Sequence, residues 1–372
     1  MKLLLTGGGT GGHIHPAIAI ADAFRASHPD AEIRFVGTQS GMEATLVPAA
    51  HYPFSSIRIM GLQRRFTLKN LKALYYFLSS KKAARKILTS FAPDCVIGTG
   101  GYVCYPMLRA AQKKGIPTVL HESNAIPGLA VKMLAPQISL LFTNFEATAS
   151  YLPDSVQNRI RTVGNPLRKE FSHMNQQKAK KQLGIPNYHR IILSCGGSLG
   201  AAPINTAVLG MLQQLCGKHP DWLFLHATGK RDYPAVQTKL EQSGLQMYSN
   251  FVLSPFFTDM PVRMAAADLI ISRAGAMSLS EIAQAAKPSI LIPSPYVANQ
   301  HQFKNAAVFA DAGAAILLEE AYLTATSLSQ AVEQILNSPS SITAMQQSAA
   351  QFAHPEATRA IVTGIEELLS KS

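Results

Sequence analysis

The side chains best suited to chemistry in this 372-residue sequence are two histidines that follow a run of glycines, in KLLLTGGGTGGHIHPA between Lys2 and Ala17. An imidazole titrates near neutral pH, so a histidine at this place could take a proton from a hydroxyl group. Glycines 7, 8, 9, 11 and 12 remove side chains where the backbone must turn tightly. A turn of that composition, opening a helix near Pro16, aims backbone N–H groups and a positive helix end at whatever lies above it. That ligand should be anionic or strongly polar. The plainer reading of the same residues is a nucleotide-binding glycine loop with incidental histidines.

Further runs repeat the pattern. PDCVIGTGGYVCYP gives an apolar strand over Cys95 to Ile97, a turn with Gly98, Gly100 and Gly101, and Pro106 near the next helix start. TVLHE leads into SNAIPG, where Asn124 either projects from a loop or caps the next helix. RIILSCGGSLGAAPIN is a third strand, glycine turn and helix. In SRAGAMSLSEIA, the turn Ala274-Gly275-Ala276 opens a helix that carries Glu281 about one and a half turns in. A carboxylate there can accept both hydroxyls of a ribose, or it can simply complement the helix dipole. Asn299, Gln300, His301, Gln302 and Asn305 form a polar cluster suited to sugar hydroxyls, with a capped helix as the alternative.

Parallel strands with connecting helices are the elements that would hold such turns. Leu3, Leu4 and Leu5 suit a strand buried on both faces, Ala17 to Ala26 a helix, and EIRFVGT and PFSSIRIM two more strands. QISLLFTN and RIRTVGNPLR follow, and then a polar, basic stretch from Lys169 through His189 reads as a linker. WLFLHATG, FVLSPF, DLIISRAG and PSILIPSP restart the alternation. The expected fold is α/β, with two doubly wound Rossmann-like domains facing across a cleft. Their expected bounds are 1–165 and 166–351, with a helix at about 352–372 that can pack back on the first.

Composition narrows the function classes. Hydrophobic content of 47% argues against disorder, and 34 Lys+Arg against 22 Asp+Glu give a net charge of +12, which implies an acidic partner surface. Cys95, Cys104, Cys195 and Cys216 lack paired metal-site spacing and fall mostly in or beside apolar runs, as reduced buried thiols do. No uninterrupted apolar run approaches the roughly 18 residues a spanning helix needs, and the glycine run cuts short any signal-peptide core. Between Glu43 and Asp94 there is no acidic residue, while Arg58, Arg64, Arg65, Lys69, Lys72, Lys81, Lys82, Arg85 and Lys86 accumulate. Leu71, Leu74, Tyr75 and Leu78 recur there at helical spacing, which suits either an interfacial helix on an anionic membrane or a core-facing helix with a solvated basic face. Neither a helix-turn-helix nor a zinc pattern supports nucleic acid as the partner.

GGTGGHIHP, GTGGYVCYP, HESNAIPG, VGNPLR, GGSLGA, SRAGAMSLSEIA and the HQxxNA run, in this order and at these separations, resemble the MurG family. Its members are bacterial UDP-N-acetylglucosamine transferases that act on undecaprenyl-pyrophosphoryl-N-acetylmuramoyl-pentapeptide. The resemblance implies a B-type glycosyltransferase fold and transfer with inversion, giving lipid II from lipid I for peptidoglycan, and hence a part in cell shape and division. It implies His13 as general base and Gly100, Gly101 and Tyr102 on the acceptor side. On the donor side it implies Thr10, Gly11, Gly12 and Asn124 near the sugar, and Arg168 and Ser198 near the diphosphate. Phe257 would lie against uracil and Glu281 hold the ribose, with Ala276, Met277, Ser278, Leu279 and Ser280 supplying backbone and Gln302 binding N-acetylglucosamine. His301 stands where some members carry Gln. No Asp-x-Asp motif is present, so the simplest expectation is no cofactor and no protein-bound metal, with magnesium acting at most on the free nucleotide. A lipid substrate favours docking of Arg64 to Lys86 on an anionic membrane and a peripheral place on the cytoplasmic face of the plasma membrane. Other readings are a different membrane-lipid glycosyltransferase, a scaffolding protein, or a dehydrogenase. The last is disfavoured because Gly37 and Thr38, not an acid, end the second strand.

Overall fold

The structure, a computed structural model, describes residues 1–59, 68–171, 174–185, 187–197 and 200–371, with the main chain alone for 68–75 and 298. The chain divides into two compact units, Met1–Arg168 with His354–Ser372, and Lys169–Ala353. Arg64 and Arg65 of the basic stretch, and Ser198 in the third glycine turn, lie outside the described residues.

The first unit holds β1 (Lys2–Thr6), β2 (Glu32–Gly37), β3 (Phe54–Ser56), β4 (Cys95–Gly98), β5 (Thr118–Glu122), β6 (Leu140–Thr143) and β7 (Ile160–Thr162). They form one parallel sheet in the order β3-β2-β1-β4-β5-β6-β7. Leu3, Leu4 and Leu5 are fully buried because helices cover both faces of the sheet. Leu4 packs with Leu88, Met107 and Leu108, whereas Leu3 and Leu5 pack with Ile14, Ile20 and Phe24. The last helix, Ala357–Leu369, joins that second layer through Ile361, Val362 and Ile365. Gly364 lets it sit close, since a Cβ there would lie 2.6 Å from the Phe142 ring. His28 Nε2 meets Glu366 Oε1 at 2.8 Å, and Arg161 meets Glu367 at 2.8 Å.

In the second unit β8 (Arg190–Cys195), β9 (Trp222–Ala227), β10 (Phe251–Ser254), β11 (Leu269–Ser272), β12 (Ser289–Leu291) and β13 (Ala315–Leu317) form a parallel sheet in the order β10-β9-β8-β11-β12-β13. Each sheet winds outward from its first strand and then returns to that strand's other side. The order therefore reverses between β1 and β4 and between β8 and β11. Loops leaving the carboxyl ends of two such strands diverge, which opens a crevice there.

Several boundaries differ from the sequence reading. The first helix runs Gly11–Ser27, so His13 and His15 lie inside its opening turns and not ahead of it. Pro16 lies inside this helix, where it forfeits the bond its absent N–H would have made to the Gly12 carbonyl. The third strand stops at Ser56. Within the basic 169–189 stretch, Gln176–Gln182 is helical, started by Asn175, whose side chain accepts from the N–H groups of Gln177 and Lys178.

Candidate functional site

Two glycine turns meet at the switch point of the first unit. The Gly8 N–H donates to the Gly100 carbonyl at 3.3 Å. Gly100 and Gly101 have φ of 116° and 85°, which suits glycine. Space requires it as well: a Cβ on Gly101 would strike the Gly8 carbonyl, and one on Gly100 would lie 2.5 Å from the His13 ring. Thr99 Oγ1 donates to the His13 carbonyl at 2.6 Å, and the Cys104 thiol reaches the carbonyls of Thr6 and Gly100. The two turns are thus one interlocked structure.

His13 Nδ1 lies 2.9 Å from the Gly8 carbonyl oxygen. A carbonyl can only accept, so Nδ1 carries the proton and Nε2 keeps the lone pair of the neutral ring. Nε2 lies on the side of Gly100, where a Cβ would come within 2.8 Å of it. Thr10 precedes the helix in extended conformation, and its carbonyl serves the N–H groups of His13 and Ile14. The N–H groups of Gly11 and Gly12 therefore head the helix, beyond the reach of any i−4 carbonyl. Tyr102 is 42% exposed beside this rim. His15 is pushed below its usual range by burial and by the Arg168 guanidinium, which places Arg168 beside the first helix.

After β5, Glu122 accepts from the Asn124 N–H (2.9 Å), the Asn124 side-chain amide (3.0 Å) and the Gly128 N–H (2.8 Å). That carboxylate sets the direction of Asn124 at the carboxyl edge. His121 is fully buried against the Gly164 carbonyl, and burial pushes it down to about 4, so it stays neutral.

The second unit carries its polar groups at its own switch point. Gly196, Gly197 and Gly200 follow β8, and a Cβ on Gly200 would strike the Thr228 carbonyl. The helix Ala276–Gln284 follows β11, with Gly275 as its extended first cap. The Leu279 N–H is already bonded to the Gly275 carbonyl, so Ala276, Met277 and Ser278 head the helix, while Leu279 and Ser280 are buried. Glu281 is half-buried farther along the same helix. Gln302 Oε1 accepts from the Ser294 N–H at 2.8 Å, in a helix that follows Asn299 and Gln300, both at positive φ. Two adjacent non-glycine residues held in the left-handed region store strain of the kind found at binding sites. Phe257 is only 5% exposed, with the Arg263 guanidinium 4.0 Å over its ring, while its neighbour Phe256 is 44% exposed.

Three groups that sequence reasoning assigned no role hold these parts together. Arg273 bridges the Ile292 carbonyl and Glu320, which ties the loop after β11 to β12. His226 meets the Ser194 hydroxyl through Nδ1 and Asn205 through Nε2, beneath the third glycine turn. Glu43 is fully buried against the first glycine turn. Its only signal in the sequence was its place at the edge of the acid-free stretch. Among the described residues no cluster of three or more His, Cys, Asp or Glu side chains could hold a metal ion.

Residues 3–140 match the glycosyltransferase family 28 N-terminal domain, and residues 191–361 match the C-terminal domain of the same family. A curated relative from Bacillus thuringiensis (strain Al Hakam), named UDP-N-acetylglucosamine--N-acetylmuramyl-(pentapeptide) pyrophosphoryl-undecaprenol N-acetylglucosamine transferase 2, is 39% identical over 371 residues, 100% of both chains. A transferase of the same name, without the number, from Halalkalibacterium halodurans is 38% identical over 99% of both chains. The crystal structure of Acinetobacter baumannii MurG superposes with a TM-score of 0.76 at 27% identity, covering 98% of this chain and 99% of that one.

Proposed function

The chain belongs to glycosyltransferase family 28, and from that premise we propose that its glycine crevice and His13 serve one reaction. N-acetylglucosamine passes from UDP-N-acetylglucosamine to the 4-hydroxyl of the N-acetylmuramoyl-pentapeptide of lipid I, giving lipid II for peptidoglycan synthesis. The observation that carries the residue assignment is the fixed tautomer of His13, with Nδ1 held by Gly8 and Nε2 presented at the interlocked turns.

Inverting transfer is a single in-line displacement. The acceptor hydroxyl gives its proton to His13 Nε2, its oxygen attacks the anomeric carbon, and UDP leaves from the opposite face. Gly100, Gly101 and Tyr102 take the pyrophosphate side of the acceptor, helped by the head of the Gly11–Ser27 helix. Thr10, Gly11, Gly12 and Asn124 approach the donor sugar. The leaving diphosphate is stabilised by Arg168, by Ser198 and by N–H groups heading the helix at Ala276. Glu281 takes the ribose hydroxyls and Gln302 the sugar. Phe257 builds the wall of the uracil pocket from beneath.

Membrane docking through Arg64 to Lys86 places the enzyme at the cytoplasmic face of the plasma membrane. Within the helix Leu68–Phe91, Ala84, Leu88 and Phe91 are core, while Lys81, Lys82, Arg85 and Lys86 are exposed with Leu78, which is 56% exposed. The helix is thus core-facing on one side and basic on the other. Exposed cations beside a few apolar side chains suit an anionic surface that holds a polyprenyl pyrophosphate. Leu129 and Met133, 70% and 51% exposed with Lys132 between them, add apolar contact area. Among the described residues no helix is long and apolar enough to cross a membrane.

Incubation with labelled UDP-N-acetylglucosamine and a lipid I analogue tests the activity. Label should move to the acceptor; nucleotide binding without transfer would refute it.

A further inference from the structure

Glu43 lies outside every motif that marks the family resemblance, yet its carboxylate is fully buried against the catalytic crevice. Oε1 accepts from the Thr38 N–H at 2.9 Å and the Thr38 hydroxyl at 2.6 Å, and Oε2 accepts from the Gly9 N–H at 3.2 Å. Glycines from the first turn, the end of β2 and the loop after it vacate its space: a Cβ on Gly8 would lie 2.5 Å from Oε1, and one on Gly37 or Gly41 would also collide with this side chain. Burial pushes the carboxyl up, but the hydrogen bonds from Thr38 and Gly9 outweigh it and hold the group below its usual range. The side chain is therefore a carboxylate at neutral pH.

The Gly9 N–H and the Gly8 carbonyl belong to one peptide group. Its N–H end meets Glu43 and its carbonyl end meets His13 Nδ1, at 2.9 Å. A peptide between two glycines turns over easily, because neither neighbour has a Cβ to oppose it. Turning it over would aim the carbonyl at a buried carboxylate and deprive His13 of its acceptor. We propose that Glu43 is a positioning residue for His13, acting through the Gly8–Gly9 peptide as a carboxylate acts on the histidine of a hydrolase triad, with one peptide group interposed. Polarisation runs the same way: an N–H held by an anion makes its own carbonyl a better acceptor. The proposal rests on the reading of His13 as general base.

Glu43→Gln keeps the size of the side chain but turns an N–H2 toward Gly9 or Thr38, so one donor faces another donor. Glu43→Asp keeps the charge but is one methylene too short to reach both loops. The tautomer of His13 is read in the whole enzyme by long-range proton–nitrogen correlation of 15N-histidine-labelled protein, with the His13 signals assigned by their loss in His13→Ala. The native enzyme should show Nδ1–H alone, and each Glu43 variant a mixture. Turnover should fall about 10- to 100-fold in each variant, as expected for a misplaced base, while UDP-N-acetylglucosamine affinity stays native. In a His13→Ala background the same substitutions should cost nothing further. A native tautomer in both variants overturns the proposal, as does a full additional loss in the His13→Ala background. A mixed tautomer with native turnover upholds the positioning and refutes His13 as the base instead.

Discussion

Acid should weaken the second unit through one buried histidine. His226 is 1% exposed; its Nε2 lies 3.1 Å from Asn205 Oδ1 and its Nδ1 lies 2.8 Å from Ser194 Oγ. The Asn205 amide nitrogen donates to the Thr228 carbonyl, so its oxygen faces the ring as an acceptor and Nε2 carries the proton. Ser194 can then donate to Nδ1, and the neutral ring is satisfied. Burial pushes His226 from 6.5 down to about 4. Between these values the unfolded chain binds a proton that the folded chain refuses, so stability falls as pH falls and levels off below about 4. At about 1.4 kcal/mol per pH unit the whole window is worth roughly 3 kcal/mol, of which on the order of 1 kcal/mol is lost between pH 7.5 and 5.5. Trp222, the sole tryptophan, lies buried in the same strand, so its fluorescence during urea unfolding reports on this unit. His226→Gln should be less stable at pH 7.5 yet lose on the order of 1 kcal/mol less on going to pH 5.5. His189 and His219 are present in both proteins and cancel in the comparison. An equal pH dependence in enzyme and variant would refute the assignment of the acid sensitivity to His226.

His13→Ala should lower turnover by about 10²- to 10⁴-fold, as loss of a general base does, and leave UDP-N-acetylglucosamine affinity, read by calorimetry, nearly native. Gly100→Ala sets a Cβ 2.5 Å from the His13 ring at a φ of 116°, so acceptor transfer should drop steeply while donor binding persists; a fully active variant would show that the two turns are not interlocked in solution. Replacing Lys81, Lys82, Arg85 and Lys86 together by Gln should weaken binding to anionic vesicles without harming transfer to a water-soluble acceptor analogue, and equal loss of both would sink the docking role.

Periodicity carried most of the fold. Strands buried on both faces write themselves as apolar runs, such as Leu3 to Leu5 and Ile191 to Leu193, whose neighbours matter little. Glycines mark the turns because backbone approaches backbone there, as Gly101 does to the Gly8 carbonyl. Both kinds of signal are local. The helix start at Gly11 was not legible, since glycine there is read as a breaker when it heads a helix beneath an open crevice. Glu43 was less legible still. Its partners, Gly9 and Thr38, come from two different loops, and its cavity is made by side chains that Gly8, Gly37 and Gly41 lack. A chain of interaction that passes through a peptide group leaves no residue type to recognise, because every residue supplies the same N–H and carbonyl. Glycine-rich sites conceal their positioning residues for that reason. The histidine is conspicuous by its chemistry, whereas the carboxylate bonded to the peptide beside it can be found only once the backbone between them is in view.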